Sequence, residues 1–298
     1  MNLKLYEDML KETAKYYNFE LINSSLDLVN IFEQSESTCF LRHDIDLSPL
    51  NALRMAELEY ELGVQATYTV LLSGQYYNPF EKENRKLFTQ ILSFGHEIGL
   101  HFDASVYDIK KEAMLINHLT KEASVLENLL ETKISMFSFH NTTEFSMSCR
   151  EFKYCGLINA YSNFFQDKVE YTSDSNGYWR FRSWTELLQE KHKVIQVLTH
   201  PIWWLPNNKY PPFETVIKNI IERTDLCVSE YINLFEGQNL RINYSYLTDL
   251  MDKYNKTNDS DILNAYAKSP DLLRLLRTGD EDEFIQKLNQ ICESLDLK

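Results

Sequence analysis

A unit repeats along the first part of this chain: a short apolar run breaks off into His and Asp, and a helical pattern follows. Thr38-Cys39-Phe40-Leu41 runs directly into Arg42-His43-Asp44-Ile45-Asp46. Ser48 then offers an N-cap with Pro49 at the first helical position, Leu50, Leu53, Ala56 and Leu58 give a buried stripe, and Gly63 supplies the stop. Ala66–Leu72 reads as the next strand, Glu83–Phe94 as a helix ended by Gly95, and Glu97–Phe102 as a third strand. Strands that alternate with helices predict a parallel sheet, because a parallel pair needs a crossover long enough to hold a helix. The pattern opens with an amphipathic helix over Leu3–Tyr17. It continues through a long helix from Tyr107 to Glu131 and a strand at Ile134–Phe139 that ends in His140. Ser148 is expected to cap a short helix closed by Gly156, with strands at Leu157–Ser162 and Val194–Leu198, the last ending in Thr199-His200-Pro201.

Beyond the Pro206–Pro212 loop, segments near Phe213–Leu234, Tyr244–Tyr254 and Ser260–Leu276 keep helical periodicity with few strand signals. The division expected is an α/β domain over 1–235 and a helical C-terminal extension over 236–298. The extension reads as a packed appendage, as further helices of the barrel, or as a surface through which a homo-oligomer assembles.

Composition narrows the function. With 30 Lys+Arg against 44 Asp+Glu the net charge is -14, which repels phosphate backbones, so nucleic acid and anionic membrane surfaces are poor partners. The apolar stretches fall far short of the roughly 20 residues that span a bilayer, so no membrane span is expected. Acidic residues at Glu7 and Asp8 stand where a signal peptide needs an apolar segment, which predicts a cytoplasmic chain. Cys39, Cys149, Cys155, Cys227 and Cys292 are odd in number and lack C-x-x-C spacing, so they read as free thiols rather than a disulfide framework or a cysteine zinc site.

The chemistry is positional. His43, Asp44 and Asp46, His101 and Asp103, His140, and His200 each lie at or just past the C-terminal end of an expected strand. In a parallel barrel those ends converge on one face, so residues far apart in sequence share a pocket, and a His and Asp cluster there suggests a metal. Any one of them alone reads as a cap or a chance pairing; four strand ends on one face do not. Asp44 and Asp46, at i and i+2, face one side if the strand continues and splay apart if a turn begins at Ile45. Two close carboxylates raise each other's pKa unless a cation intervenes, so a metal would keep both ionised and leave one free to act as a base. A glycosidase with paired carboxylates would need neither His101 nor His200.

Leu41-Arg42-His43-Asp44-Ile45-Asp46, Gly95-His96-Glu97-Ile98-Gly99-Leu100-His101-Phe102-Asp103 and Leu198-Thr199-His200-Pro201 together resemble the motifs of polysaccharide deacetylases of the carbohydrate esterase family 4 type. More closely they resemble a divergent bacterial branch encoded among surface-polysaccharide genes. The resemblance runs in order from Thr38 to Trp204, and Gly-His-Glu-Ile-Gly-x-His is its most specific part. It implies an incomplete or distorted (β/α) barrel and metal-dependent removal of an acetyl group from an N-acetylated sugar, on a nucleotide-linked or lipid-linked precursor. It makes Asp44 the base, Asp46 and His101 metal ligands, and His200 the general acid. The place four residues after His101, where the family has a second histidine, holds Ser105. His140 and Asp103, both at expected strand ends, are the candidates for the missing ligand, with His140 favoured, and zinc is the divalent ion such donors suit.

Trp203 and Trp204 after His200 are expected to form an apolar wall that tunes it. The run Ser173-Asp174-Ser175-Asn176-Gly177-Tyr178-Trp179-Arg180 also resembles a region of that branch. It adds Asp174 to orient His200, Trp179 to line the acetyl pocket and Arg180 to meet an anionic group, so that Asp103, Asp174, Trp179, Arg180 and Trp203 form the expected substrate-contacting set. Two further readings use the same fold: a non-catalytic saccharide-binding protein, and an amidohydrolase of the allantoinase-like kind acting on another C–N bond.

Overall fold

The computed structural model describes residues 1–206 and 210–236. In chain order the elements are α1 (Leu3–Thr13), β1 (Tyr17–Glu20), α2 (Asn30–Glu33), β2 (Ser37–Ile45), α3 (Pro49–Glu61), β3 (Thr67–Leu71), α4 (Lys82–Ser93), β4 (Glu97–Asp103), α5 (Glu112–Leu130), β5 (Met136–His140), α6 (Glu144–Ser148), β6 (Lys153–Tyr154), β7 (Leu157–Asn159), α7 (Asn163–Asp167), β8 (Glu170–Ser173), α8 (Trp184–Gln189), β9 (Val194–Thr199) and α9 (Pro212–Glu236). The chain divides into two units, Met1–Arg223 and Thr224–Lys298, and among the described residues every strand belongs to the first. Apart from Glu236, the extension expected over 236–298 lies outside the described residues.

The strands form one sheet in the order β6-β7-β5-β4-β3-β2-β9-β8, with β1 also on β2. All pairings are parallel except β6 with β7. β2 is the centre of this arrangement, buried from Thr38 to Ile45, as expected of a parallel strand covered on both faces. One edge carries β9. The other is shared, with β1 along Ser37–Phe40 and β3 along Arg42–Ile45.

The sheet is curled. In a flat sheet β5 would lie about 14 Å from β2, three strand spacings away, a gap that His and Asp side chains cannot bridge. Nδ1 of His140, at the end of β5, nevertheless reaches 3.3 Å from Oδ1 of Asp46, one residue past β2. Among the described residues no pairing joins β6 to β8, so the barrel is incomplete, an α/β half-barrel of the kind expected. Alternation along β2 sends Cys39 and Leu41 into the core shared with the helices and Phe40 to the inside. A second, smaller core of Ile22, Phe40, Met136, Ile158, Phe165 and Val194 fills the inside at the N-terminal ends of the strands and plugs the half-barrel there.

Several elements depart from expectation. The opening helix stops at Thr13, because Tyr17–Glu20 leaves it to pair with β2. The helix expected from Tyr107 begins at Glu112: Ala104–Tyr107 is a separate 3-10 turn ended by Asp108 at φ 47. Ser148 closes a helix rather than opening one, since Thr143 and Ser146 form a capping box at the start of α6. Cys155 and Gly156 then take φ 43 and 88, the pair of positive angles a two-residue hairpin turn requires, and join β6 to β7. Other punctuation is as read: the Ser48 side chain accepts from Asn51 N at the start of α3, and Gly63 and Gly95 take φ 70 and 86 after α3 and α4.

β4 and β5 approach closely at Gly99, where a Cβ would lie 2.3 Å from Sδ of Met136 and 3.2 Å from its carbonyl oxygen. Gly99→Ala is expected to lower stability by about 1–3 kcal/mol in denaturant unfolding, and Met136→Ala in the same chain to restore part of that loss. An unchanged unfolding midpoint in Gly99→Ala would contradict the packing.

Candidate active site

On β2, period-two alternation puts Arg42 and Asp44 on the inner face and turns His43 to the helical side. Asp44 is 2 % exposed and fully engaged. Arg42 brings Nε to 3.2 Å from Oδ1 and donates through its terminal nitrogen to Oδ2 at 3.3 Å. Thr69 on β3 donates to Oδ1 at 2.7 Å and Ser138 on β5 at 3.3 Å. Burial pushes the Asp44 carboxyl up, but the Arg42 guanidinium, followed by His101 and His200, outweighs it and holds the group below the usual carboxylate range. The guanidinium lies over the Tyr161 ring, 5.6 Å from its centroid.

Asp46 follows the end of β2, in a turn whose N–H bonds back to Asp44 O at 3.1 Å. Oδ1 of Asp46 lies 3.1 Å from His101 Nε2 on β4 and 3.3 Å from His140 Nδ1 on β5, and those two nitrogens lie 3.0 Å apart. Oδ1 is buried and both imidazoles approach it closely, but among the described residues none meets it in good hydrogen-bond geometry. Zinc held tetrahedrally at about 2.0–2.1 Å keeps its ligand atoms roughly 3.3 Å apart, which is the spacing found. Two imidazole nitrogens and an orphaned carboxylate oxygen, aimed at one point, fit a divalent cation. Behind this point Ser138 Oγ lies 2.7 Å from His101 Nδ1 and fixes the ring.

His200, just past β9, faces the same point from the opposite side, its Nε2 3.8 Å from Asp46 Oδ2. Its Nδ1 lies 2.7 Å from Oδ1 of Asp174, which also accepts from the His200 backbone N–H at 3.0 Å and, through Oδ2, from the Trp204 indole at 2.7 Å. Burial lowers the His200 pKa, but Asp174, then Asp46 and Asp44, more than reverse this and raise it to about 9. The imidazole is thus a cation at neutral pH, with Nδ1–H held by Asp174 and Nε2–H directed towards the cluster.

Three residues of the expected substrate-contacting set stand elsewhere. Asp174 is completely buried behind His200, its oxygens occupied by donors of this chain, and so positions the imidazole instead of touching substrate. Asp103 closes the turn after β4, accepting from the N–H and hydroxyl of Ser105 at 2.9 and 2.6 Å. Trp179 packs against Trp184 and Trp204, with centroids 6.4 and 6.2 Å away, off the cavity wall. Arg180 and Trp203 do face the cavity. Arg180 lies over Phe181 at 5.4 Å and has no carboxylate partner among the described residues.

His43, grouped with the strand-end residues, belongs to a different cluster on the helical side. Its Nε2 lies 3.0 Å from buried Glu59, which also accepts from Tyr6 and, at 2.8 Å, from Tyr68. His96 closes the same region, accepting from Ala66 N at Nδ1 and facing Ala56 O at Nε2. The residues that sequence reasoning missed are Arg42, Thr69, Ser138 and Tyr161. Arg42 was legible from its i, i+2 relation to Asp44; the others depend on which strands become neighbours. The site opens into a cavity of about 780 Å³.

No family model matches the sequence, and no curated protein matches it. Among solved structures the chain is similar to the deacetylase PplD of Streptococcus pyogenes solved with acetate, at 11% identity over 74% of this chain and 87% of that one, with a TM-score of 0.36. It is similar to a family 4 carbohydrate esterase from Bacillus anthracis at 16% identity, over 74% and 86% of the two chains, TM-score 0.38. It is also similar to a family 4 pseudoenzyme from Bacillus anthracis at 15% identity, over 64% and 62%, TM-score 0.34. These likenesses are remote in sequence and in backbone, and neither activity nor ligand passes from them to this chain.

In the metal-free protein, His200 is expected to titrate near pH 9 by NMR and to fall towards about 6.5 in Asp174→Asn. Because the folded-state value is the raised one, the contribution of this pair to stability is complete below about pH 6.5 and disappears as the pH rises through about 9. Titration of His200 at an ordinary imidazole pKa in the wild-type chain would contradict the geometry.

Proposed function

We propose that this chain is a metal-dependent hydrolase of the polysaccharide deacetylase kind, which removes an acetyl group from an N-acetylated sugar. The observation that carries the reading is the buried Asp46 Oδ1 between His101 and His140, without a well-formed hydrogen bond among the described residues, with the tethered carboxylate of Asp44 on one side and the His200 imidazole on the other. The histidine that the resemblance places four residues after His101 is Ser105, whose oxygen is engaged with Asp103, and His140 supplies the third donor in its stead.

A divalent ion, zinc by the donor set, would be held by Asp46, His101 and His140, and when bound supplies a water of lowered pKa and polarises the acyl carbonyl. Asp44 takes the proton as the water oxygen bonds to the acyl carbon; Arg42, Thr69 and Ser138 fix the direction of its carboxylate. His200 gives its Nε2 proton to the nitrogen as the C–N bond breaks, and Asp174 retains the Nδ1 proton and stabilises the cation before transfer. The products are acetate and a free amino sugar. Arg180, on the cavity wall and without a carboxylate partner among the described residues, favours a substrate with an anionic group, as a nucleotide-linked or lipid-linked sugar has.

The reading places the chain in the cytoplasm, with a precursor of a surface polysaccharide as substrate. It is supported by the scattered cysteines, of which Cys39, Cys149, Cys155 and Cys227 are free. Among the described residues no helix is long and apolar enough to cross a membrane.

The test is release of acetate from N-acetylated sugars by the zinc-loaded protein, read with its metal content. His101→Ala is expected to lose both, and His140→Ala to weaken zinc binding by more than about a hundredfold, while Asp103→Asn leaves it within about twofold. Asp44→Asn is expected to retain zinc and lose turnover by about 10²–10⁴. Full activity in a metal-free preparation would overturn the reading. Saccharide binding without turnover would favour a non-catalytic protein, and cleavage of other amides alone would favour an amidohydrolase.

A further inference from the structure

A group of buried polar side chains that the proposed reaction does not use lies behind the site, on the helical side of the sheet. Tyr6, His43, Glu59, Tyr68 and Thr199 are all completely buried. Glu59 of α3 accepts from Tyr6 and, at 2.8 Å, from Tyr68, and its Oε1 lies 3.0 Å from His43 Nε2. Burial pushes the Glu59 carboxyl up, but His43 beside it, then His96 and Tyr6, outweigh this and hold it below the usual range. A carboxylate only accepts, so Nε2 is the donor of its contact with Glu59. The other ring nitrogen of His43, Nδ1, lies 2.7 Å from Oγ1 of Thr199. The contacts run in one line from α3 through β2 to β9.

This line stands back to back with the chemistry. Tyr68, His43 and Thr199 are side by side in the register of β3, β2 and β9. On each strand the next residue faces the other way, and those residues are Thr69, Asp44 and His200. His200 keeps the extended backbone that this alternation needs, at φ -114 and ψ 116. In front, Arg42, Thr69 and Ser138 hold the Asp44 carboxylate, and Asp174 holds the His200 ring. Among the described residues no hydrogen bond joins Asp44 to His200. The β2–β9 ladder ends at the pair His43 and Thr199, so the bond between these two side chains is the last tie across the strands before base and acid.

We propose that Glu59, His43 and Thr199 are positioning residues, which hold Asp44 and His200 at their working separation in the hydrolysis proposed above, on which this inference rests. None of the three touches the substrate. His43 and Thr199 each share a peptide unit with a reacting residue, so a displacement on the helical side is passed to the site, and Glu59 fixes the His43 ring that links them.

The test uses Thr199→Val, nearly the same shape without the hydroxyl, and Thr199→Ser, which keeps it. Acetate release from N-acetylglucosamine and UDP-N-acetylglucosamine is measured on the zinc-supplied proteins, and crystal structures of the same variants are solved. In Thr199→Val kcat is expected to fall about tenfold, with KM and zinc affinity within about twofold of wild type, and Thr199→Ser to recover most of the loss. His200 Nε2 is expected to shift by more than about 0.5 Å relative to Asp44 in Thr199→Val. Glu59→Gln, acting through the same contacts, is expected to lower kcat in the same way. Tyr6→Phe removes a Glu59 partner that comes from α1 and adjoins no site residue, so it is expected to lower the unfolding midpoint and leave kcat within about twofold. An unchanged kcat in Thr199→Val, no recovery in Thr199→Ser, or an equal fall in Tyr6→Phe would overturn the proposal. Acetate release by the wild type with kcat unchanged in Thr199→Val leaves the hydrolytic reading standing and removes this one. If the wild type releases no acetate, the hydrolytic reading fails and the crystal structures decide: a shifted His200 upholds the positioning, and an unmoved one overturns it.

Discussion

Two neighbouring carboxylates, Asp44 buried whole and Asp46 with one oxygen buried, are the constraint from which the rest of this site follows. An ionised carboxylate in a protein interior costs several kcal/mol unless positive charge and hydrogen bonds replace its hydration. Asp44 finds its complement within the chain, in Arg42, Thr69 and Ser138. Asp46 does not: two histidines approach Oδ1, and among the described residues none forms a good hydrogen bond with it. The asymmetry supports giving the two aspartates different roles, with Asp44 the tethered proton acceptor and Asp46 the ligand whose complement is an ion.

That pairing depends on a sheet curled enough to bring β4, β5 and β9 over the end of β2. The curl is anchored from both faces. On the helical side Glu59 of α3 gathers His43 and Tyr68 from adjacent strands and Tyr6 from α1, so that removing this one carboxylate would leave three polar partners buried together. On the inner side the plug of Phe40, Phe165 and their neighbours fills the lower half and leaves the upper half open. An incomplete barrel thereby has both a packed floor and an accessible site.

Much of this was legible in the sequence because local rules governed it. Ser48-Pro49 and Gly63 marked the ends of α3, and apolar runs ending in His or Asp located β2, β4, β5 and β9 with their polar tips. What escaped was long-range or carried by polar residues. β1 and β8 are four-residue strands without an apolar run, recognisable only through their pairing. The Ser148 cap was misread because Thr143 and Ser146 outcompete it by capping each other. Asp103 was marked as a polar group at a strand end and Asp174 as the residue that orients His200, and their partners, Ser105 and His200, decide that they cap and position instead of contacting substrate. That same competition supports the proposal of His140, favoured over Asp103 from the sequence, as the third ligand.

The central claim concerns a cation, and anomalous diffraction at the zinc edge from crystals grown with zinc tests it most directly. The account predicts an anomalous peak about 2.0–2.2 Å from Asp46 Oδ1, His101 Nε2 and His140 Nδ1. A peak at the exposed Glu170, Glu190 and His192 group alone, or none among these residues, would contradict it.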